Sequence, residues 1–166
     1  MNFLENLNKK LNFATEASLI NLDAVAATEV TTANTVVDLV DYASPKLNSF
    51  DIIEAQYVFA VNNASGANEA ITCVFYVGSN SVATTTATVN DTVDSDGSVS
   101  IRAVKTSNGY STTFTLKHHG QSSADTVLLS ASDFSSLSLT AKNDSTAAAG
   151  LDIVGLGGYV MLDNVK

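Results

Sequence analysis

Residues 99–118, VSIRAVKTSNGYSTTFTLKH, decide the fold class. Two runs of alternating apolar and polar residues flank Asn108-Gly109. An Asn-Gly pair in that setting signals a β-hairpin, because a two-residue turn of the primed type needs positive φ at both central positions. Such a turn pairs Val99 with His118, Ile101 with Leu116 and Ala103 with Phe114 on one face. On the other it pairs Ser100 with Lys117, Arg102 with Thr115 and Val104 with Thr113. One face is apolar and the other mostly polar, as half-buried antiparallel strands require.

The same alternation extends outward. Ala55, Tyr57, Phe59 and Val61 interleave with Glu54, Gln56, Val58 and Ala60, and after a polar Asn62–Gly66 turn region Ile71, Cys73, Phe75 and Val77 alternate up to Gly78. Both runs carry apolar residues on the second face too, which predicts that they form a pair central in its sheet. Val82–Val89 reads as a Thr-rich strand, separated from the hairpin by an acidic turn, Asn90–Gly97. Further runs lie at Val36–Tyr42, at Val127, Leu129 and Ala131, at Leu137, Leu139 and Ala141, and at Tyr159–Leu162. The rest of Ser18–Tyr42 fits neither period. The spacing predicts an all-β chain, an antiparallel β-sandwich of about eight strands, jelly-roll or Ig-like, over residues 18–166.

Residues 1–17 are expected to be an N-terminal helical arm. At about 100° per residue, Phe3, Leu4, Leu7, Leu11 and Ala14 fall on one stripe of an amphipathic helix over Asn2–Ala14, with Asn2 and Glu5 spaced as a capping box. A helix this short is not stable alone in water, so it must dock. Phe3, Leu4, Leu7 and Leu11 are the expected assembly contact, against a partner or against the sandwich itself.

Composition narrows the function. The 166 residues carry 8 Lys plus Arg against 17 Asp plus Glu, a formal net charge of −9. A phosphate-gripping surface is built from Lys and Arg, so neither nucleic acid nor an anionic membrane is an expected partner. Charged residues make up 15% of the chain, below the roughly 25% of ordinary soluble domains, which suits a surface kept against other proteins. No apolar stretch approaches the roughly 20 residues of a membrane-spanning helix. The early run Leu11–Leu22 is broken by Asn12, Thr15, Glu16, Ser18 and Asn21, so no Sec export is expected. The single cysteine excludes an intrachain disulfide.

No residue set nominates a chemistry. His118 and His119 point to opposite faces of a strand and cannot chelate one metal from it; they are expected to be a structural pair at a strand end. Cys73 alternates with Ile71 and Phe75, which places it in the core. Asp91, Asp94, Asp96 and Gly97 fail the EF-hand template, since Thr92 would hold the first ligand position and Ala103 the twelfth. They read as a solvated acidic loop, with a weak calcium contact as the alternative. Gly155, Gly157 and Gly158 do not match a phosphate-binding loop and are expected to permit a tight turn or close backbone contact. No Gly-x-Ser-x-Gly elbow is present, and the sequons at Asn63, Asn90 and Asn143 are expected to be unused. The expectation is a non-enzyme with no catalytic residue, no metal and no cofactor.

The amphipathic lead-in, the Ala/Thr/Val/Ser/Asn-rich β body with one proline and one cysteine, and the Gly-Leu-Gly-Gly-Tyr run at Gly155–Tyr159 resemble virion structural proteins of tailed bacteriophages. Within that class the chain looks most like a small capsid decoration or cement protein. The resemblance implies an oligomer, a dimer or trimer, assembled in the host cytoplasm. It would sit on the capsid surface of the virion and hold neighbouring major capsid protein subunits together. One alternative is a tail-tube or other tail protein, although Asn62–Asn68 is short for a stacking loop. Another is a carbohydrate-binding β-sandwich module, against which stand the lack of Trp and the reading of Tyr57 and Tyr76 as strand interior. A hydrolase on a β scaffold is a third reading, and no motif supports it.

Overall fold

The computed structural model describes residues 18–145 and 149–165. Eleven strands follow one another: β1 (Ser18–Leu22), β2 (Val25–Glu29), β3 (Val36–Ala43), β4 (Ile52–Asn63), β5 (Glu69–Val77), β6 (Asn80–Val89), β7 (Val93–Thr106), β8 (Gly109–His118), β9 (Gln121–Leu129), β10 (Ser136–Asn143) and β11 (Leu151–Asp163). Among the described residues the only helical pieces are 3-10 turns at Leu47–Ser49 and Ala131–Asp133. The predicted helix, with Phe3, Leu4, Leu7 and Leu11, lies outside the described residues.

The strands form two antiparallel sheets, β1-β11-β4-β7-β8-β9 with β2 also on β11, and β3-β10-β5-β6. The pairs β2 with β11, β3 with β10, β4 with β7 and β5 with β6 are nested, as in one long hairpin rolled up so that its rungs alternate between two sheets. That is a jelly roll, and it decides between the two sandwiches predicted. The β8–β9 hairpin is inserted after β7 and widens the larger sheet beneath β6. Strands β1 and β2 pair with the same side of β11 and act as one bent edge strand, broken at Asp23-Ala24 where β11 bulges between Gly155 and Gly157.

The hairpin at Asn108-Gly109 forms, but two residues away from the predicted register. Thr106 pairs with Gly109, Ile101 with Phe114, Val99 with Leu116 and Gly97 with His118. Gly109 has φ +128° whereas Ser107 and Asn108 are not in the positive-φ region, so the turn is not of the primed type. Thr106 Oγ1 accepts from Asn108 N (3.3 Å) and donates to the Gly109 carbonyl (3.0 Å), closing a turn centred on Ser107-Asn108. A two-residue slip leaves every side chain on its own face, so alternation could not detect it.

Three other expectations are corrected. Strands β4 and β5 do not pair; each is interior to a different sheet, and the Asn62–Gly66 region crosses between sheets. Apolar residues on both faces mark an interior strand without saying which sheet it joins. The acidic turn is shorter than predicted, because β7 already begins at Val93 and takes Asp94, Asp96 and Gly97 into the sheet. Eleven strands replace eight, since β1 and β2 are mostly exposed edge segments with little alternation to read.

The core lies between the sheets. Tyr57, Phe59 and Val61 of β4, Val99 and Ile101 of β7, and Phe114 and Leu116 of β8 face Leu39, Ile71, Cys73, Phe75, Leu137 and Leu139. Each large side chain so buried contributes about 1.5–3 kcal/mol before entropy. Tyr110 caps one end: its ring packs 4.3 Å from Phe134, and its hydroxyl donates to the carbonyls of Asn48 (2.9 Å) and Phe50 (2.5 Å).

Candidate functional site

The residues with chemical potential in the interior are sequestered. Cys73 is fully buried, and burial pushes its thiol up to about 12, so it has no thiolate character. His118, the last residue of β8, is 1% exposed; its Nε2 lies 3.1 Å from Ser95 Oγ and its ring 5.7 Å from Phe59. Its Nδ1 has no partner among the described residues. Burial, and after it the proximity of His119, lowers its pKa to about 4. The Ser95–His118 contact is shut off from solvent and no carboxylate of a described residue orients the ring, so among the described residues it lacks the third group and the access that a nucleophile needs. His119 has left the strand with φ +46°.

Two of the three sequon asparagines are buried joints, Asn63 between the two sheets and Asn143 within the smaller one. Asn63 and Asn143 each accept a backbone N–H two residues on, from Ser65 (3.1 Å) and Ser145 (2.9 Å), the geometry of an Asx turn. Asn63 Nδ2 donates to the carbonyls of Ala67 and Val89 (both 2.9 Å), and Asn143 Nδ2 donates to Glu69 Oε2 (3.1 Å). Glu69, buried at the start of β5, also accepts from Ser65 Oγ (3.1 Å). This network ties the ends of β4 and β10 to the start of β5. Asn-x-Ser directly after a strand was the available signal for it.

Asp91, Asp94 and Asp96 do not converge. Asp91 Oδ1 accepts from Gly66 N (2.8 Å) and its own N–H donates to Asn68 Oδ1 (3.1 Å), whereas Asp94 and Asp96 are exposed on β7. Among the described residues no group of three or more His, Cys, Asp or Glu is placed to hold a metal ion, and no helix is long and apolar enough to cross a membrane. Gly155 and Gly158 allow the close approach expected of them: a β-carbon at 155 would overlap the Tyr57 hydroxyl, and one at 158 the Gln56 carbonyl.

Strand β6, ten residues NSVATTTATV with no charge and no proline, is an edge strand among the described residues; Thr84, Thr86 and Thr88 are exposed. The other edges are guarded or short: β3 carries Asp38 and Asp41, β9 carries Asp125, β2 carries Glu29, and β1 has five residues. On the larger sheet Leu19, opposite Met161, and Tyr159 are exposed, and Leu156 is exposed at the β11 bulge.

Each sheet also has a shallow concavity on its outer face. On the larger sheet, Tyr159 and Gln56 adjoin an Arg102–Glu54 ion pair of 2.7 Å. On the smaller sheet, a concavity of about 420 Å³ is lined by Asp38, Asp41, Tyr76, Ser79, Ser138 and Thr140, among others. Tyr57 is interior as predicted, its hydroxyl donating to the Asp23 carbonyl (3.0 Å). Tyr76 is not: it is half-buried on the outer face.

No family model matches this chain, and no curated protein does. Among solved structures it is similar to lectin II from Ulex europaeus, with 10% identity over 89% of this chain and 92% of that chain and a TM-score of 0.42. It is similar to Bacillus endospore appendages, which form disulfide-linked pili, with 18% identity over 90% and 91% and a TM-score of 0.38. A third likeness is to the CBM2 module of an evolved Dit of Lactobacillus casei phage J-1, with 11% identity over 90% and 98% and a TM-score of 0.38. Lectins and phage or viral structural proteins thus stand side by side among the neighbours, and at these scores the likeness carries no function to this chain.

Proposed function

We propose that this chain is a non-catalytic structural protein of a virion, a capsid decoration or cement protein that binds the major capsid protein on the outside of a shell and associates with itself. The observation supporting this reading is the bare edge of β6. An open strand offers a row of unpaired N–H and C=O groups as a pairing template, and natural sheets guard such edges with charge, proline, bulges or short length. Here one bulge, between Phe75 and Tyr76 in the β5–β6 ladder, interrupts one end. The favoured occupant is a second copy. On a chain of net charge −9 most surfaces repel their own copies, but two β6 strands meeting antiparallel bring no like charges together. A two-fold pairing of this kind closes as a dimer. The Phe3, Leu4, Leu7, Leu11 stripe is a second contact in the same proposal, toward the shell.

Sedimentation velocity on the full chain, with co-purification of assembled particles, tests this. A dimer that Thr84→Lys with Thr88→Lys converts to monomer at unchanged melting temperature supports the β6 edge. Deletion of residues 1–14 that abolishes particle binding without loss of monomer stability supports the stripe. A monodisperse monomer that never accompanies particles overturns the reading.

A further inference from the structure

We propose that the concavity around Tyr76 on the outer face of the smaller sheet is a binding site for a neutral or amino sugar unit of a glycan. The site is built on two rungs of the β3–β10–β5 sheet that flank a β-bulge between Leu139 and Thr140 in the β3–β10 ladder. Asp41, Ser138 and Tyr76 are cross-strand neighbours on β3, β10 and β5, and Asp38, Thr140 and Val74 form the next rung. Side chains on packed strands hold their geometry better than side chains on loops.

Its chemistry differs from that of the rest of the sheet. One rung further on, Thr72 bonds to Thr86 Oγ1 (2.7 Å) and to Asp144, and Lys142 pairs with Asp144 (2.7 Å). The polar groups of that rung satisfy one another. By contrast, none of the side chains of Asp38, Asp41, Tyr76, Ser138 and Thr140 makes a hydrogen bond or ion pair with another described residue. Five polar side chains therefore converge on one concavity with their bonding capacity turned outward.

The mixture selects the ligand class. Carboxylates only accept, whereas the hydroxyls of Ser138, Thr140 and Tyr76 both donate and accept. A cation needs acceptors alone, but a sugar presents hydroxyls that do both, along with an apolar C–H face that an aromatic side chain can cover. Among the described residues no Lys or Arg lines the concavity, and two carboxylates repel an anion. Uronic and sialic acids are therefore poor ligands, and neutral or amino sugars suit the site.

The test is an NMR titration of the ¹⁵N-labelled full chain with D-glucose, D-galactose, N-acetyl-D-glucosamine and D-glucosamine, with D-glucuronate and trilysine as charged controls. At least one of the four sugars should shift the amides of Tyr76, Ser138 and Thr140 saturably. Binding should weaken by about ten-fold or more in Tyr76→Ala and in the Asp38→Asn, Asp41→Asn double variant. These groups have no partner among the described residues, so the double variant should keep the wild-type melting temperature. The proposal is overturned if none of the four sugars gives saturable shifts, if the shifts cluster elsewhere or persist unchanged in both variants, or if trilysine alone occupies the concavity.

Discussion

At the scale of single residues, His118 makes the clearest pH prediction. Its folded pKa is depressed to about 4 by burial from an ordinary 6.5, so the folded chain holds it neutral. Above pH 6.5 both folded and unfolded forms are neutral and its contribution is intact. Between pH 6.5 and about 4 the unfolded chain takes up a proton that the folded one refuses, so stability falls with falling pH, by at most about 3 kcal/mol. His118→Gln should flatten this limb of a stability-versus-pH curve measured by urea unfolding; equal acid losses in both proteins would count against it. Gly97 is the second case. It sits between Phe59 and His118 in the sheet, and a β-carbon there would overlap the Phe59 ring. Gly97→Ala should lower stability by about 1–3 kcal/mol, read as a drop in urea midpoint at constant m-value. Sequence placed Gly97 in an acidic loop, because its place opposite Phe59 rests on the β4–β7 pairing, which joins segments far apart in sequence. The parity of β5 was equally available for Tyr76, which alternates with Phe75 and Val77 and so had to leave the core face that they occupy.

At the scale of elements, the hairpin separates two accounts of one glycine. In a primed turn Asn108 and Gly109 would both need positive φ; as observed, Gly109 alone has it, and a β-carbon there would overlap the Leu129 carbonyl oxygen of β9. Gly109→Ala should therefore cost about 1–3 kcal/mol, with Gly109→Val at least as severe, because the clash begins at the first side-chain atom. Asn108→Ala should stay within about 0.5 kcal/mol. A large loss in Asn108→Ala, measured by chemical denaturation, would restore the primed turn. Half-buried strands such as β6, β7 and β8 were legible because one face is wet and one dry, and the pattern records both. The two-residue slip was invisible to that pattern, and the separation of β4 from β5 depends on packing partners far away in sequence.

At the scale of the whole molecule, a sandwich could be read from strand spacing, but jelly-roll nesting could not, because it resides in pairings such as β2 with β11 and β3 with β10. The charge balance was legible from the start, and it sets the sign of the last prediction. Two copies that meet through the uncharged β6 edges still bring together two bodies of net charge −9, and most of those charges lie away from the contact. Their repulsion is long-ranged and exposed, so salt screens it: the Debye length shrinks from about 30 Å at 0.01 M to about 3 Å at 1 M. Association by edge pairing should therefore tighten as salt is added, whereas an interface held by ion pairs such as Arg102–Glu54 would loosen. Sedimentation equilibrium across that salt range distinguishes the two. A dimer that dissociates with added salt would move the interface off β6 and onto the charged face of the larger sheet.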